Sequence, residues 1–446
     1  MKQLYDPQLF EYMIESGIDK YVVATYYLED TVEGVDFLDH FSLIKTLIVE
    51  GSTGSWQEVK EETPEVRERL AGKLLGYYEV PSPKNVKRAV IQLGFPIEAW
   101  EPNVPMMLLS FSGNCFAYSK NLRLLDVFIP PELAKNFKGP KFGIEGIRGL
   151  TGVYNRPLSL HIIKPKMGMT PQQTADQVYQ TALGGVDAVK DDEMTSDTAY
   201  CRFDDRLDAV MEALAKAEKK TGKKVLYFIS ITDEVDKVQE KARRAVKNGA
   251  NGLLLCYSAG LSTLRVLAED PEINVPILVH PSHMLALLNR ISFVALSKLI
   301  RLCGGDLTLS PTIWSSIPVA SLEESLRCYQ VLRAPFYHIK RTFPMPAAGM
   351  HPGLLPVLIQ EAGIDIIIPA GGGMLGHPMG YTAGAKAWQQ AFEAVTKGIP
   401  LEEAAKQYPE LKAALDKWGT IKRPVTPWTY IAPQYRPLSL QEGSTR

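Results

Sequence analysis

The segment with the most evident chemistry is Lys190-Asp191-Asp192-Glu193. It follows the apolar run 186–189, which is typical of a short buried strand, and a glycine pair marks the turn into that strand. Carboxylates at the C-terminal end of a parallel strand lie where α/β proteins bind ligands, and oxygen atoms are the ligands that Mg²⁺ takes. The segment therefore indicates a Mg²⁺ site, although a solvated acidic loop would use the same residues.

Three more reactive side chains follow other apolar runs. Lys164 and Lys166 end the run 158–163 and share one face of an extended segment. A lysine that is crowded by a second lysine and partly desolvated loses basicity, so either one could act as a general base near neutral pH. His280 ends the run 275–279, a position that favours a functional role, whereas we interpret His283 as structural. The alternative is a pair of surface lysines beside a turn.

A glycine-rich loop supplies the remaining feature of a ligand site. Gly371-Gly372-Gly373 follows the apolar run 364–368, and glycines leave backbone N–H groups free to approach an oxyanion. A plain tight turn is the alternative. The loop predicts a phosphorylated ligand. A metal, a lysine base, a histidine and a phosphate site together predict proton abstraction next to a carbonyl of a sugar phosphate, with the metal holding the enediolate.

The elements that must position these groups form a regular series. Eight apolar runs alternate with helical patterns, which predicts a (β/α)8 barrel, with a doubly wound open sheet as the alternative. The predicted strands lie at 158–163, 186–189, 225–231, 252–256, 275–279, 307–309, 341–345 and 364–368. The predicted helices lie at 174–183, 206–221, 235–248, 261–269, 285–302, 322–332, 354–362 and 383–396.

The first part of the chain has a different pattern. Strands are predicted at 20–28, at 47–50, at 90–95 and at 106–110, with a helix at 34–45, which indicates a small α+β domain. The turn-rich segment 139–143 marks a boundary. We therefore predict an N-terminal domain over 1–140, a barrel domain over 141–430 and a tail over 431–446.

Bulk composition excludes several classes. Of the 446 residues, 46% are apolar and 22% charged, and the net charge is −1, so nothing favours nucleic acid or a membrane surface as a partner. The first residues do not resemble a signal peptide, and no apolar stretch reaches the length of a membrane span. Five scattered cysteines without a C-x-x-C pair indicate reduced thiols. We expect a soluble cytoplasmic enzyme or binding protein.

These motifs together resemble the large chain of ribulose-bisphosphate carboxylase (RuBisCO), in order and over almost the whole chain. The resemblance implies a ferredoxin-like α+β domain before an α/β barrel, and a homodimer or higher oligomer with a shared active site. It further implies that Lys190 is carbamylated by CO₂ and binds Mg²⁺ together with Asp192 and Glu193, that Lys164, Lys166 and His280 are catalytic, and that one phosphate is bound by three glycines, Gly349, Gly371 and Gly372. By the same resemblance, four N-terminal residues complete the neighbouring subunit's site: Glu50, Ser55, Trp56 and Asn114.

Departures from the carboxylase are as informative. Pro281 stands where the carboxylase has an arginine, Ala347 where it has a serine, and the segment 307–316 contains neither the histidine nor the loop lysine of the carboxylase. The second phosphate site and the group that polarises CO₂ are therefore missing. The pattern is similar to the RuBisCO-like proteins (form IV), nearest to the 2,3-diketo-5-methylthiopentyl-1-phosphate enolase branch. The base lysine of that branch falls at Asn114, which leaves Lys164 or Lys166 as the expected base.

Three functions remain open from the sequence. The first is a Mg²⁺-dependent enolase or isomerase of a monophosphorylated keto-sugar, of the methionine-salvage type, that does not fix CO₂. The second is a decarboxylase, transcarboxylase or hydrolase acting on a branched β-oxo-acid sugar phosphate. The third is a sensor that keeps the pocket without catalysis.

Overall fold

A computed structural model describes residues 17–31, 37–54, 59–83 and 86–421. The chain divides into two compact units. The first takes the chain up to Gly139 together with His283–Gly304 and Pro335–Ile339, and the second takes the remainder. Two late segments thus join the first unit, which a purely sequential division of the chain does not anticipate.

The first unit contains a four-stranded antiparallel sheet in the order β2-β3-β1-β4. Alternate residues Ala89, Ile91 and Leu93 are buried on one face of β3, as period-2 patterning requires. The strands are β1 (Tyr21–Thr31), β2 (Lys73–Val80), β3 (Val86–Pro96) and β4 (Leu122–Phe128). Helices α1 to α5 span Phe37–Glu50, Pro64–Leu70, Val104–Ser112, Cys115–Tyr118 and Pro131–Ala134.

Two strand predictions in this unit are wrong. Residues 47–50 form the end of α1, and residues 106–110 lie inside α3. Short apolar runs do not distinguish a strand from a buried helical face. Here local signals favour the helix, because Asn103 caps α3 by accepting a 3.2 Å hydrogen bond from the backbone N–H of Met106. Strands β2 and β4 were not predicted from the sequence.

The second unit is built on eight parallel strands, and the predicted barrel is confirmed. The sheet order is β11-β10-β9-β8-β7-β6-β5-β12, and β11 and β12 also lie in contact, which closes the sheet. Every predicted strand is present within a few residues. The strands are β5 (Leu158–Ile162), β6 (Ala188–Lys190), β7 (Leu226–Ser230), β8 (Gly252–Cys256), β9 (Ile277–His280), β10 (Leu307–Ser310), β11 (Phe343–Pro346) and β12 (Ile367–Ala370).

Helices separate the barrel strands along the chain. Residues 285–302, predicted as one helix, form a 3₁₀ turn at Met284–Leu287 and then α11, which belongs to the first unit. The helices are α6 (Gly143–Thr151), α7 (Pro171–Leu183), α8 (Phe203–Thr221), α9 (Val235–Lys247), α10 (Leu261–Glu269), α11 (Phe293–Leu302), α12 (Leu322–Arg333), α13 (Leu355–Ala362), α14 (Gly372–Leu375), α15 (Tyr381–Thr396), α16 (Leu401–Ala404) and α17 (Pro409–Trp418).

The interior of the barrel is packed with apolar side chains, including Leu160, Phe228 and Leu254. At the start of β10 the buried carboxylate of Asp306 accepts backbone N–H bonds from Phe142, Gly143 and Ile277 at 2.7–2.8 Å. These bonds tie the N-terminal ends of β9 and β10 to the segment that begins α6. In the described part of the chain, no helix is both long and apolar enough to span a membrane.

Candidate active site

Two lysines on the loop after β5 contact the two carboxylates that follow β6. Lys164 Nζ donates to Asp192 Oδ2, and Lys166 Nζ lies 2.6 Å from Glu193 Oε1 and 3.9 Å from Asp192 Oδ1. The side chain of Asp192 is fully buried, whereas those of Lys164 and Lys166 are 34% and 49% exposed. The structure thus brings together two predicted base candidates and two predicted metal ligands. The expected loss of basicity is wrong for Lys166, because its hydrogen bond to Glu193 raises the pKa of Lys166.

Lys190 is buried at the end of β6, and its Nζ donates a 2.8 Å hydrogen bond to the main-chain oxygen of Asp191. Burial lowers the pKa of Lys190, although the negative charges of Glu193 and Asp192 oppose that change. A lysine with a lowered pKa has a larger fraction of neutral amine, the form that reacts with electrophiles.

Asp191 serves as the anchor of this segment. Its buried carboxylate accepts hydrogen bonds from Tyr227 Oη at 2.7 Å, from the backbone N–H of Ser230 at 2.9 Å and from Arg206 Nε at 3.2 Å. These partners come from β7 and α8. The carboxylate of Asp191 is therefore engaged by these three partners, whereas Asp192 and Glu193 contact the lysines.

His280, at the end of β9, faces the same carboxylates. Its Nδ1 accepts a 3.2 Å hydrogen bond from the backbone N–H of Ser282, so the neutral ring carries its proton on Nε2. That Nε2 lies 3.5 Å from Glu193 Oε2. Burial, together with the charge of Lys190, lowers the pKa of His280 to about 3. His280 therefore presents a neutral N–H donor to the site.

The glycine loops after β11 and β12 also lie close to this end of the barrel. A methyl group added at Gly371 would lie 3.4 Å from Cγ and Cε of Lys164, whereas one added at Gly372 would meet nothing within 4 Å. At Gly373 it would lie 1.9 Å from the main-chain oxygen of Met350, so the two loops are in close backbone contact. Gly349, on the first of these loops, has φ +76° and packs against Ser316.

Two of the three predicted Mg²⁺ ligands, Asp192 and Glu193, present carboxylate oxygens at this end of the barrel. Within the described ranges no three His, Cys, Asp or Glu side chains are grouped as a metal site. Asp192 and Glu193 supply two hard oxygen donors, while the third predicted ligand, Lys190, is an amine. A carbamate on that buried nitrogen would supply the third anionic oxygen.

The predicted residues of the first unit are less informative. Glu50 ends α1 and accepts a 2.7 Å hydrogen bond from Tyr118 Oη. Asn114 directly precedes α4, and its main-chain oxygen accepts from the N–H of Ala117. Ser55 and Trp56 lie outside the described residues.

The supporting roles of three residues were not predicted from the sequence: Gln177, Asp191 and Arg206. Gln177 and Arg206 are buried on the inward faces of α7 and α8, and Arg206 lies at helical spacing from the apolar residues Phe203 and Val210. A buried polar residue on an apolar helical face has to be hydrogen-bonded. For Arg206, that interruption of the apolar pattern was the available signal.

Comparison with known protein families agrees with this architecture. Residues 143–418 match the catalytic domain of the ribulose bisphosphate carboxylase large chain, and residues 11–133 match its N-terminal domain. The two matches cover the two parts of the described fold, the small antiparallel sheet and the eight-stranded parallel barrel that follows it. The chain belongs to the RuBisCO large-chain family.

Individual relatives refine that assignment. The chain is 38% identical to a ribulose bisphosphate carboxylase-like protein of Archaeoglobus fulgidus over 412 residues, which cover 88% of this chain and 93% of the relative. It is 34% identical to the 2,3-diketo-5-methylthiopentyl-1-phosphate enolase of Geobacillus kaustophilus, over 90% of this chain and 98% of the enzyme. Its similarity therefore extends to the RuBisCO-like branch as well as to the carboxylases.

Solved structures show the same likeness. A rubisco-like protein from Alicyclobacillus acidocaldarius superposes with a TM-score of 0.81 at 35% identity, covering 90% of this chain and all of that one. The octameric RuBisCO of Pyrococcus horikoshii gives a TM-score of 0.83 at 31% identity, covering 91% of this chain and 95% of that one. A dimeric archaeal RuBisCO from Hyperthermus butylicus gives 0.81 at 31%, covering 90% and 97%. Oligomers are thus common among its structural neighbours.

Proposed function

We propose that the protein is a Mg²⁺-dependent RuBisCO-like enolase or isomerase that acts on a monophosphorylated keto-sugar, with 2,3-diketo-5-methylthiopentyl-1-phosphate or a close analogue as substrate. The observation that carries the proposal is the convergence of Lys164 and Lys166 on Asp192 and Glu193, beside the buried amine of Lys190. The enolase names of its relatives support the same substrate class.

Lys190 would acquire its ligand character by reaction with CO₂. The neutral amine would attack the carbon of CO₂, forming an N–C bond while one C–O π bond opens onto oxygen, and one proton would pass from nitrogen to water, which leaves an anionic carbamate. The lowered pKa of Lys190 favours that amine at neutral pH. Lys190, Asp192 and Glu193 would then hold Mg²⁺, which when bound supplies Lewis-acid stabilisation of negative charge developing on substrate oxygens.

The remaining residues of the site would bind the substrate and move its proton. Gly371 lacks a Cβ beside Lys164, and a Cβ at Gly372 would meet no protein atom within 4 Å, which leaves room for a phosphate at this loop. Lys164 or Lys166 would take the proton from the carbon next to the carbonyl, since both lie on the loop after β5. The neutral Nε2–H of His280 would donate a hydrogen bond to the oxygen that gains charge.

CO₂ fixation is not part of the proposal. The loop after β10 contains Thr312, Trp314 and Ser316 but no lysine, and Pro281 follows His280. The chain therefore has no cation on that loop to polarise a second molecule of CO₂. The expected products are the enol or the isomer of the substrate.

Solvent deuterium exchange tests the proposal directly. Phosphorylated keto-sugars in D₂O with Mg²⁺ and bicarbonate should gain one deuterium at the carbon next to the carbonyl, as followed by mass spectrometry. A chelator should abolish exchange, and so should Lys190→Ala, while Lys224→Ala, which removes an exposed lysine, should not. Undiminished exchange in Lys190→Ala with chelator would overturn the proposal.

One observation favours the second candidate function. Both Lys164 and Lys166 lie at the carboxylates, so after one lysine serves as the base a second cation remains for an additional negative group on the substrate. A β-oxo-acid sugar phosphate carries such a carboxylate. Release of labelled CO₂ from that substrate class, without proton exchange into keto-sugar phosphates, would favour a decarboxylase or carboxyl transferase.

We also infer a cytoplasmic homodimer or higher oligomer in which Glu50, Ser55, Trp56 and Asn114 of one subunit complete the site of the next. The dimeric and octameric relatives support an oligomer. Mixing and refolding Lys190→Ala with Asn114→Ala should restore up to about a quarter of the activity, because half of random dimers are mixed and each holds one intact site of two. The absence of any restoration would contradict a shared site.

A further inference from the structure

The backbone of Lys164 lies at the point where β5 leaves the barrel sheet. The last pairing between β5 and β6 joins Ile162 to Lys190, and the backbone N–H of Ile163 donates a 3.1 Å hydrogen bond to the main-chain oxygen of Lys190. The residue after Lys164 is Pro165, which has no N–H to donate. Beyond Ile163, the backbone therefore depends on other groups for its hydrogen bonds.

A single side chain from α7 provides those bonds. Gln177 Nε2 donates a 2.7 Å hydrogen bond to the main-chain oxygen of Lys164, and Gln177 Oε1 accepts a 3.2 Å hydrogen bond from the backbone N–H of Lys164. The side-chain amide thus pairs with both polar backbone groups of one residue. It takes the position that a neighbouring strand would occupy if the ladder continued.

A second contact fixes the orientation of this amide. His161 Nε2 lies 3.1 Å from Gln177 Oε1, and His161 Nδ1 lies 3.0 Å from Thr181 Oγ1. The backbone N–H of Lys164 can only donate, so Gln177 Oε1 is an acceptor and the proton of the neutral imidazole is on Nε2. The hydroxyl of Thr181 then donates to Nδ1 of His161. Each of the three side chains, Thr181, His161 and Gln177, therefore has a hydrogen-bond partner.

Packing alone does not require a glutamine at this position. Gln177 is 4% exposed on the inward face of α7. An apolar side chain at the same position would fill the same volume without burying polar atoms. A methionine has nearly the same shape and avoids the cost of desolvating an amide. The glutamine is accounted for by the three hydrogen bonds that it makes.

We propose that Gln177 is a positioning residue for Lys164: its amide fixes the backbone of that lysine and thereby directs the side chain toward Asp192 and the glycine loop. Lys166 is held less firmly. Its main-chain oxygen accepts one long bond, 3.4 Å from Thr195 Oγ1, and its side chain is 49% exposed. The consequence for Lys164 rests on the proposed function, in which that residue moves the proton or binds the substrate.

The test is Gln177→Met, compared with Gln389→Met. Gln389, on α15, donates a 3.1 Å hydrogen bond to Ser159 Oγ, so it is also a glutamine that contacts β5, but at the opposite end of the strand. Because a displacement of about 1 Å can cost a hundredfold in rate, we expect Gln177→Met to lower kcat of proton exchange by about tenfold or more while KM changes by less than about threefold. Gln389→Met should retain the kcat of the wild-type protein, even if its loss of thermal stability equals that of Gln177→Met.

A second measurement does not depend on turnover. Lysine acylation in the full-length protein, mapped by mass spectrometry, gives the labelling rate of Lys164 relative to that of Lys166. Release of the backbone should change this ratio by roughly threefold in Gln177→Met and leave it unchanged in Gln389→Met. Equal kcat losses in the two variants, or an unchanged labelling ratio, would overturn the inference. A wild-type protein that exchanges no substrate would instead overturn the proposed function, and the labelling ratio would still decide the role of Gln177.

Discussion

The Nζ of Lys190 lies 2.8 Å from the main-chain oxygen of Asp191, the residue that follows it. The carboxylate of Asp191 is in turn held by Arg206, Tyr227 and the backbone N–H of Ser230. The buried amine is therefore hydrogen-bonded to backbone that the barrel itself keeps fixed, and Lys190 lies two residues before Asp192 and three before Glu193, the other predicted metal ligands.

Replacement of Lys190 by methionine is the first prediction. The variant keeps the shape of the side chain but lacks the nitrogen that would carry a carbamate, so Mg²⁺-dependent proton exchange should fall by about a hundredfold or more. Circular dichroism and the thermal midpoint should stay close to wild type, because a buried amine is replaced by an apolar group.

The same prediction has a direct spectroscopic counterpart. Wild-type protein incubated with ¹³C-bicarbonate and Mg²⁺ should show a carbamate carbon signal by NMR, and the Lys190→Met variant should show none. A full carbamate signal in the variant would place the modification on another lysine.

The two lysines after β5 provide the second prediction. Lys164 and Lys166 both contact the carboxylates, but a general base contributes about 10²–10⁴-fold to rate, so only the base should lose that much kcat when replaced by methionine. The other variant should change mainly KM. Steady-state exchange kinetics of Lys164→Met and Lys166→Met distinguish them, and equal, small losses in both would show that neither is the base.

The glycine loop after β12 offers a third test. A methyl group added at Gly372 meets no protein atom within 4 Å, so Gly372→Ala should fold normally and clash only with a ligand in the loop. We expect KM for a phosphorylated substrate to rise by about tenfold, since loss of close phosphate contacts costs roughly 1.4 kcal/mol or more.

The control for this variant is Gly149→Ala, on α6. The nearest atom to an added methyl group there is the Tyr154 hydroxyl oxygen at 4.0 Å, so the chemical change is the same without a ligand nearby. An unchanged KM in Gly372→Ala would exclude a phosphate from this loop. Titration with inorganic phosphate would give the same answer without substrate.

Much of the barrel follows from sequence, because each parallel strand is buried on both faces and leaves a short continuous apolar run. The polar residues directly after those runs, such as Lys164, Lys190 and His280, lie at one end of the barrel for the same reason. The position of a residue directly after a predicted strand is thus sufficient to predict that it lies at this end of the barrel.

The secondary structure of the first unit was harder to predict from the sequence. The apolar residues around Ile48 and Leu108 suit either a strand or a buried helical face, and both segments form helices, the second of them capped by Asn103. Gln177 could not be assigned a role from sequence either. Its hydrogen-bonding partner is the backbone of Lys164, thirteen positions earlier, and backbone groups leave no signature in the sequence.

His161 gives the last prediction, which concerns stability and pH. The side chain is fully buried between Gln177 and Thr181, and burial lowers the pKa of His161 to about 3 from an ordinary value of 6.5. The unfolded chain binds a proton at this residue below pH 6.5, whereas the folded protein resists protonation until about pH 3. The stabilising contribution is therefore complete above pH 6.5 and is lost as the pH falls toward 3.

Between pH 7 and pH 5 this one group should reduce the free energy of unfolding by about 2 kcal/mol. His161→Gln retains a polar side chain but has no titrating group, so its stability should fall by about 2 kcal/mol less over the same interval. Urea unfolding followed by circular dichroism at both pH values measures the difference. If the free energy of unfolding falls equally in the two proteins between pH 7 and pH 5, the imidazole of His161 is protonated in the folded protein at pH 5.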